Sequence, residues 1–249
     1  MIMSNDLLDS MMLNRAEARA RNLFHCAGGD YVRLLQCDTI SINHSLFENP
    51  INLIRKVRQD RRMRNVLRPR YKSQCVHGDL TFLNMVLSDQ QDKIIMIDPR
   101  GYSGDFDVLY DFGKMKFSLS GFADIVLSNY DLSLVDGRRI IVGMPGEHPN
   151  IKEANADFLR FLAPSKSFRV IRDMEPYWNE RIRFYEAINY LADIPFRLHT
   201  DSTPYNSIMC FLWGTIYLNA MYRETYAKTR ALSDSAWAVA QSGIRGDAG

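Results

Sequence analysis

The chain is poor in cysteine. Four residues (Cys26, Cys37, Cys75, Cys210) lie scattered through 249, with no C-x-x-C pair. That spacing excludes a disulfide framework and fits free thiols in a reducing, cytoplasmic compartment. An excess of charge is also lacking: 31 Lys and Arg stand against 29 Asp and Glu, a net charge of +2. Neither nucleic acid nor a membrane surface is therefore expected as a partner. The opening stretch, MIMSNDLLDSMMLNRAEARARN, mixes acids with bases and has no apolar run suited to a signal peptide. No internal repeat or low-complexity linker divides the chain. One stretch without charge, residues 202–222, has the length of a bilayer span. Asn206, Ser207, Gly214, Thr215 and Asn219 interrupt it, and Asp201 and Pro204 mark a soluble helix start. It reads as a buried core helix, not a membrane span.

What is present is ordinary globular material, 46% hydrophobic and 24% charged, enough for one large domain or two small ones. Apolar spacing predicts helices over residues 5–22, from Pro50 through a basic run to Arg68, over 107–120 and through most of the last third. Val76, residues 85–87 and residues 94–97 read as short strands around the polar turn 88–92. Residues 125–127, 132–135 and 140–142 suggest a small β meander, with Asp136-Gly137 as a hairpin turn. Residues 1–232 are expected to form the folded unit, and 233–249 a frayed tail.

The chemistry concentrates in residues 76–121, VHGDLTFLNMVLSDQQDKIIMIDPRGYSGDFDVLYDFGKMKFSLSG. Phosphoryl transfer from a nucleotide needs a carboxylate that orients the attacking hydroxyl and accepts its proton. It also needs oxygen ligands that hold Mg²⁺ on the donor phosphates. Asp79, Asn84 five residues later, and Asp98 at the end of an apolar strand could meet that need from two neighbouring loops. Singly, each would be an ordinary turn or cap residue. Their order and spacing carry the reading.

The stretch His77-Gly78-Asp79-Leu80-Thr81-Phe82-Leu83-Asn84 resembles the HGDxxxxN catalytic loop of the aminoglycoside phosphotransferase and choline kinase-like family, a branch of the protein kinase-like fold. Ile97-Asp98-Pro99-Arg100-Gly101 resembles its metal-binding segment, and residues 107–114 its following DPxYDLAK segment. The IDPRG form, with YDFGK and a later SxxG, is similar to phosphotransferases of capsule and surface-polysaccharide synthesis. The resemblance implies an α+β fold: a kinase-like C-terminal lobe, mostly helical, with a short β hairpin carrying the active-site loops. It implies Asp79 as catalytic base and Asn84 and Asp98 as Mg²⁺ ligands holding ATP. His77 joins the catalytic set, with bracing of the loop as its expected part. Arg100 is expected either to contact a phosphate or acidic substrate or to lie on the surface. Asp111 is expected to anchor the loop and Asp107 to cap a helix, while Lys114 and Lys116 are expected in solvent.

The resemblance also has a gap. A kinase of this fold covers the phosphates with a glycine-rich loop and a strand lysine. The 76 residues before His77 read as helices, with Lys56 and Lys72 their only lysines and no G-x-G-x-x-G. The expectation is a C-terminal lobe whose nucleotide lobe lies on a partner chain or a further segment. The activity expected is transfer of phosphate from ATP to a hydroxyl of a small molecule, a sugar of surface-polysaccharide synthesis being the leading candidate. The alternatives are a non-catalytic kinase-like binding module and a choline- or aminoglycoside-type kinase.

Overall fold

Leu7, Leu8, Met12 and Leu13 are buried where the chain coils as a π-helical segment, Leu7–Leu13, and continues as α1 (Asn14–Asn22). The computed structural model describes residues 7–25, 27–90, 92–100, 106–135, 139–143, 149–200 and 204–244. After α2 (Gly29–Leu35) come two strands, β1 (Thr39–Ile42) and β2 (Ser45–Glu48). Asn43 and His44, both at positive φ, join them in a two-residue turn of the kind that suits hairpin twist. Asn49 then caps α3 (Pro50–Gln59) by accepting from Ile51 N, with Pro50 in the first turn where no N–H is missed. Asp60 accepts from Arg62 N and Met63 N, which ends α3 and starts α4 (Arg61–Leu67).

The middle of the chain holds β3 (Lys72–Ser73), β4 (Met85–Leu87), β5 (Ile94–Met96) and β6 (Phe106–Asp107). β4 and β5 form a separate hairpin, and β3 pairs antiparallel with β6. α5 (Leu109–Phe117) follows, then a turn broken at Gly121, and a short α6 (Ala123–Val126). β7 (Asp131–Val135) and β8 (Arg139–Gly143) pair antiparallel, and β8 also pairs parallel with β1. The result is a four-stranded sheet in the order β2-β1-β8-β7. The chain ends in α7 (Pro149–Leu162), α8 (Lys166–Met174), α9 (Trp178–Thr200) and α10 (Tyr205–Ile244).

This is a mixed α+β chain, predominantly helical with small sheets. Several local expectations change. Residues 39–48 form a hairpin inside a region that read as helical, because the turn at Asn43 and β8 together supply its partners. Asn43 Nδ2 donates to Val142 O at 3.0 Å, and Val142 N donates to Asn43 Oδ1 at 2.8 Å. Residues 125–126, expected as strand, belong to α6, and Val76 lies outside any strand. The turn expected at Asp136-Gly137 lies outside the described residues. The backbone remains helical through Ile244, past the expected start of the tail at Ser233. Among the described residues no helix is long and apolar enough to cross a membrane.

Helix α9 is the hub, packed against α5, α1 and α10. It lies close enough to α5 that a Cβ on Gly113 would stand 2.2 Å from Tyr185 Cβ. Only glycine permits that approach. At one end of the seam Arg181 is fully buried and bridges Asp107 and Glu175, while Tyr185 donates its hydroxyl to Asp107. Burial works against the Arg181 charge, but Asp107 and its neighbours hold the guanidinium more firmly protonated than usual. Asp107 Oδ1 also accepts from Leu109 N at 3.0 Å, capping α5 as expected. Glu175 Oε1 accepts from the backbone N–H groups of Arg70 and Tyr71. This buried cluster ties together the segments that enter β3 and leave β6.

Candidate active site

Residues 77–84 and 97–100 run side by side and are laced by backbone bonds. Arg100 N donates to His77 O at 2.9 Å and Ile97 N to Asn84 O at 3.0 Å. Gly78 adopts φ 78°, a conformation glycine takes without penalty. The N–H groups of His77 and Gly78 both point at one carboxylate, donating to Asp111 Oδ2 and Oδ1 at 2.7 and 2.8 Å. Burial raises the Asp111 pKa above its usual value even against these two donors. Asp111 thus anchors the loop to the first turn of α5, as its place in the sequence suggests. His77 Nε2 lies 2.9 Å from Ile97 O, and its Nδ1 accepts from Asp79 N at 3.3 Å. Nε2 is thus placed against a carbonyl and Nδ1 against a backbone N–H. His77 therefore braces the loop.

Asp79 is the electrostatic centre. Its Oδ1 lies 2.9 Å from Lys114 Nζ, and its Oδ2 accepts from Arg100 Nη2 at 3.0 Å. Burial pushes the Asp79 carboxyl up, but Lys114 and then Arg100 outweigh it and hold the pKa below the ordinary value. The expectation that Lys114 and Lys116 are solvated is corrected. The Lys114 side chain is only 7% exposed, and Lys116 at 12% donates to Asn155 Oδ1 and faces Glu186. Burial pulls the Lys114 pKa down, against the opposing pull of Asp79. A lysine so deeply buried needs a compensating charge, and Asp79 supplies it.

These groups open onto a cavity of about 310 Å³, lined among others by Asp79, Asn84, Arg100, Lys114, Asp193 and Arg197. Asn84 Nδ2 donates to Asp79 O at 2.8 Å, which leaves its side-chain oxygen as an available acceptor. Asp193 and Arg197, one turn apart on α9, bond to each other at 2.8 Å. The sequence reading named neither as a site residue. Their i,i+4 spacing looked like any helix-surface pair, and only the position of α9 brings it to the cavity. Asp98 does not line this cavity. It is exposed, two residues past the end of β5, at φ 55°. Left-handed backbone at a non-glycine residue is uncommon, and such positions gather at functional sites.

Among the described residues no group of three or more His, Cys, Asp or Glu could hold a metal ion. Mg²⁺ does not need such a cage: it commonly takes one or two protein oxygens and completes its shell with phosphates and water. The Asn84 side chain lines the cavity and Asp98 does not, while the backbone bond from Ile97 N to Asn84 O keeps the two segments adjacent. No family model, curated protein or solved structure matches the chain.

Proposed function

We propose that this chain carries the catalytic and acceptor-binding part of a Mg²⁺-dependent phosphotransferase, which moves the terminal phosphoryl group of ATP to a hydroxyl of a small molecule. The observation that carries the reading is the convergence of the Asp79 carboxylate, the Asn84 side chain, Lys114 and Arg100 on one cavity. The resemblance of residues 76–121 to the kinase-like motif, which contains the same side chains, points the same way.

In this reading Asp79 orients the acceptor hydroxyl. A carboxylate held below its usual pKa is a weak base, but phosphoryl transfer passes through a loose transition state in which positioning and charge compensation dominate. Lys114 and Arg100, both on Asp79, place two cations where negative charge is transferred. Arg100 is the more exposed of the two and is the one suited to exchange Asp79 for a phosphate oxygen. Asn84 and Asp98 would hold Mg²⁺, which neutralises charge on the donor phosphates.

The test is transfer of radiolabelled phosphate from ATP to sugars and polyols, with and without Mg²⁺. Asp79→Asn keeps the shape of the side chain but removes its charge. Transfer should fall by at least about 10²-fold, since a misplaced nucleophile alone can cost that much, with the circular dichroism spectrum unchanged. Equal transfer by wild type and variant would remove Asp79 from the reaction. Absence of both transfer and Mg²⁺-dependent ATP binding in the wild type would favour the second reading, a kinase-like binding module. Asp79 paired on both oxygens and Asp98 off the cavity wall are the observations on that side.

A further inference from the structure

A second cavity, about 500 Å³, adjoins the polar one. Leu83 and Phe122 line both. The rest of its wall includes Leu119, Val126 and Leu127, with Ala123 on α6 and Ala154 on α7. Among the described residues Ser118 is the only polar one of the wall, and its hydroxyl already donates to Lys114 O at 3.2 Å. This compartment therefore offers a ligand apolar contact and no open hydrogen-bonding side chain. Its volume is that of a small-molecule site. The polar compartment beside it presents three cations, Arg100, Lys114 and Arg197, against the carboxylates of Asp79 and Asp193. A polycationic acceptor is poorly matched to that balance.

We infer that the acceptor is amphipathic: a hydroxyl-bearing head in the Asp79 compartment, joined to an alkyl chain that occupies the apolar compartment across Leu83 and Phe122. The inference rests on the phosphotransferase reading for the identity of the head, and on the shared walls for the chain. The apolar strands of the β4–β5 hairpin lie outside this cavity, which takes only Phe82 and Leu83 from the loop before them. A ligand chain in the cavity and a macromolecule on the hairpin are therefore separable by mutation.

The experiment is calorimetric titration of the protein, without nucleotide, with methyl, hexyl and octyl β-D-glucopyranoside below their micellar concentrations. Affinity should rise at least about tenfold from methyl to octyl, since each fully buried methylene is worth up to about fourfold. Ala123→Trp and Ala154→Trp fill the cavity from two different helices, and each should return octyl binding to the methyl level with the helical spectrum intact. Equal affinity across the series, or no binding by any member, overturns the inference. So does a chain-length gain that survives both tryptophan variants, because the chain would then lie elsewhere, on the exposed hairpin. Binding is read without ATP, so the two readings fail separately. Chain-dependent binding with no phosphate transfer to octyl glucoside would count against the phosphotransferase and leave the apolar subsite standing.

Discussion

Two regions flank the catalytic loop and treat polarity in opposite ways. In the β4–β5 hairpin, Val86, Leu87, Ile94, Ile95, Met96 and Ile97 are apolar, yet each is at least 42% exposed. In the α5–α9 seam, Arg181, Asp107 and Glu175 are ionisable, yet none is more than 1% exposed. A two-stranded ribbon cannot cover its own faces, so its side chains stay open unless another layer packs on them. The seam closes because its opposite charges pair and because Asp107 and Glu175 also hold backbone N–H groups, with Arg181 Nε left as a buried donor that has no hydrogen bond. Composition alone would invert the two regions. Burial here follows the number of layers around a residue rather than its hydrophobicity, and the candidate site sits at the junction.

Five substitutions would break or sharpen this contrast. The largest effect is expected from Arg181→Ala, which leaves Asp107 and Glu175 buried without their cation. Urea denaturation should show a loss of about 3–5 kcal/mol. A loss under 1 kcal/mol would mean that the cluster does not hold the seam together. Gly113→Ala forces a methyl group against Tyr185 Cβ and should lower stability by about 1–3 kcal/mol, read as an earlier thermal midpoint. An unchanged midpoint would show that α5 and α9 can separate at little cost.

Lys114→Met acts on charge rather than packing. Removing the ammonium leaves burial less opposed, so the Asp79 pKa should rise, as carboxyl carbon NMR titration would show. In the wild type the folded pKa of Asp79 lies below the unfolded one. Its pairing therefore stabilises the fold above the ordinary carboxylate range, and that contribution is lost as the pH falls through the depressed value. In the variant the acid limb should move to higher pH; a limb that stays in place would uncouple Lys114 from Asp79. The smallest effect is expected at the hairpin. Leu87→Ser and Ile95→Thr should change stability by no more than about 0.5 kcal/mol, since both side chains are already in solvent. A loss above 2 kcal/mol would show that something covers the hairpin in solution.

Much of the local structure was legible in the residues. Asn49-Pro50 starts α3, and Asp107 caps α5. The polar turn between two apolar triplets marks the β4–β5 hairpin. Each signal acts within a few residues, which is the range over which capping and turn chemistry operate. Less legible were β1 and β2, whose sheet is completed by β8 about a hundred residues away. Residues 125–126 misled because a short apolar run suits a strand and a buried turn of helix equally well.

The sequence by itself determined most of the helices, the β4–β5 hairpin and the ordered motif of Asp79, Asn84 and Asp98 at their spacing, and the resemblance implied the anchoring role of Asp111. Tertiary structure alone decided the environment of those groups. It brought Lys114 under Asp79, set Asp193 and Arg197 on the cavity wall, placed Asp98 off that wall, and opened an apolar compartment behind Leu83. The reason is that burial and charge pairing are properties of neighbours distant in the chain. A lysine on α5 and an aspartate thirty-five positions earlier carry no mark of each other until α9 presses α5 against the loop.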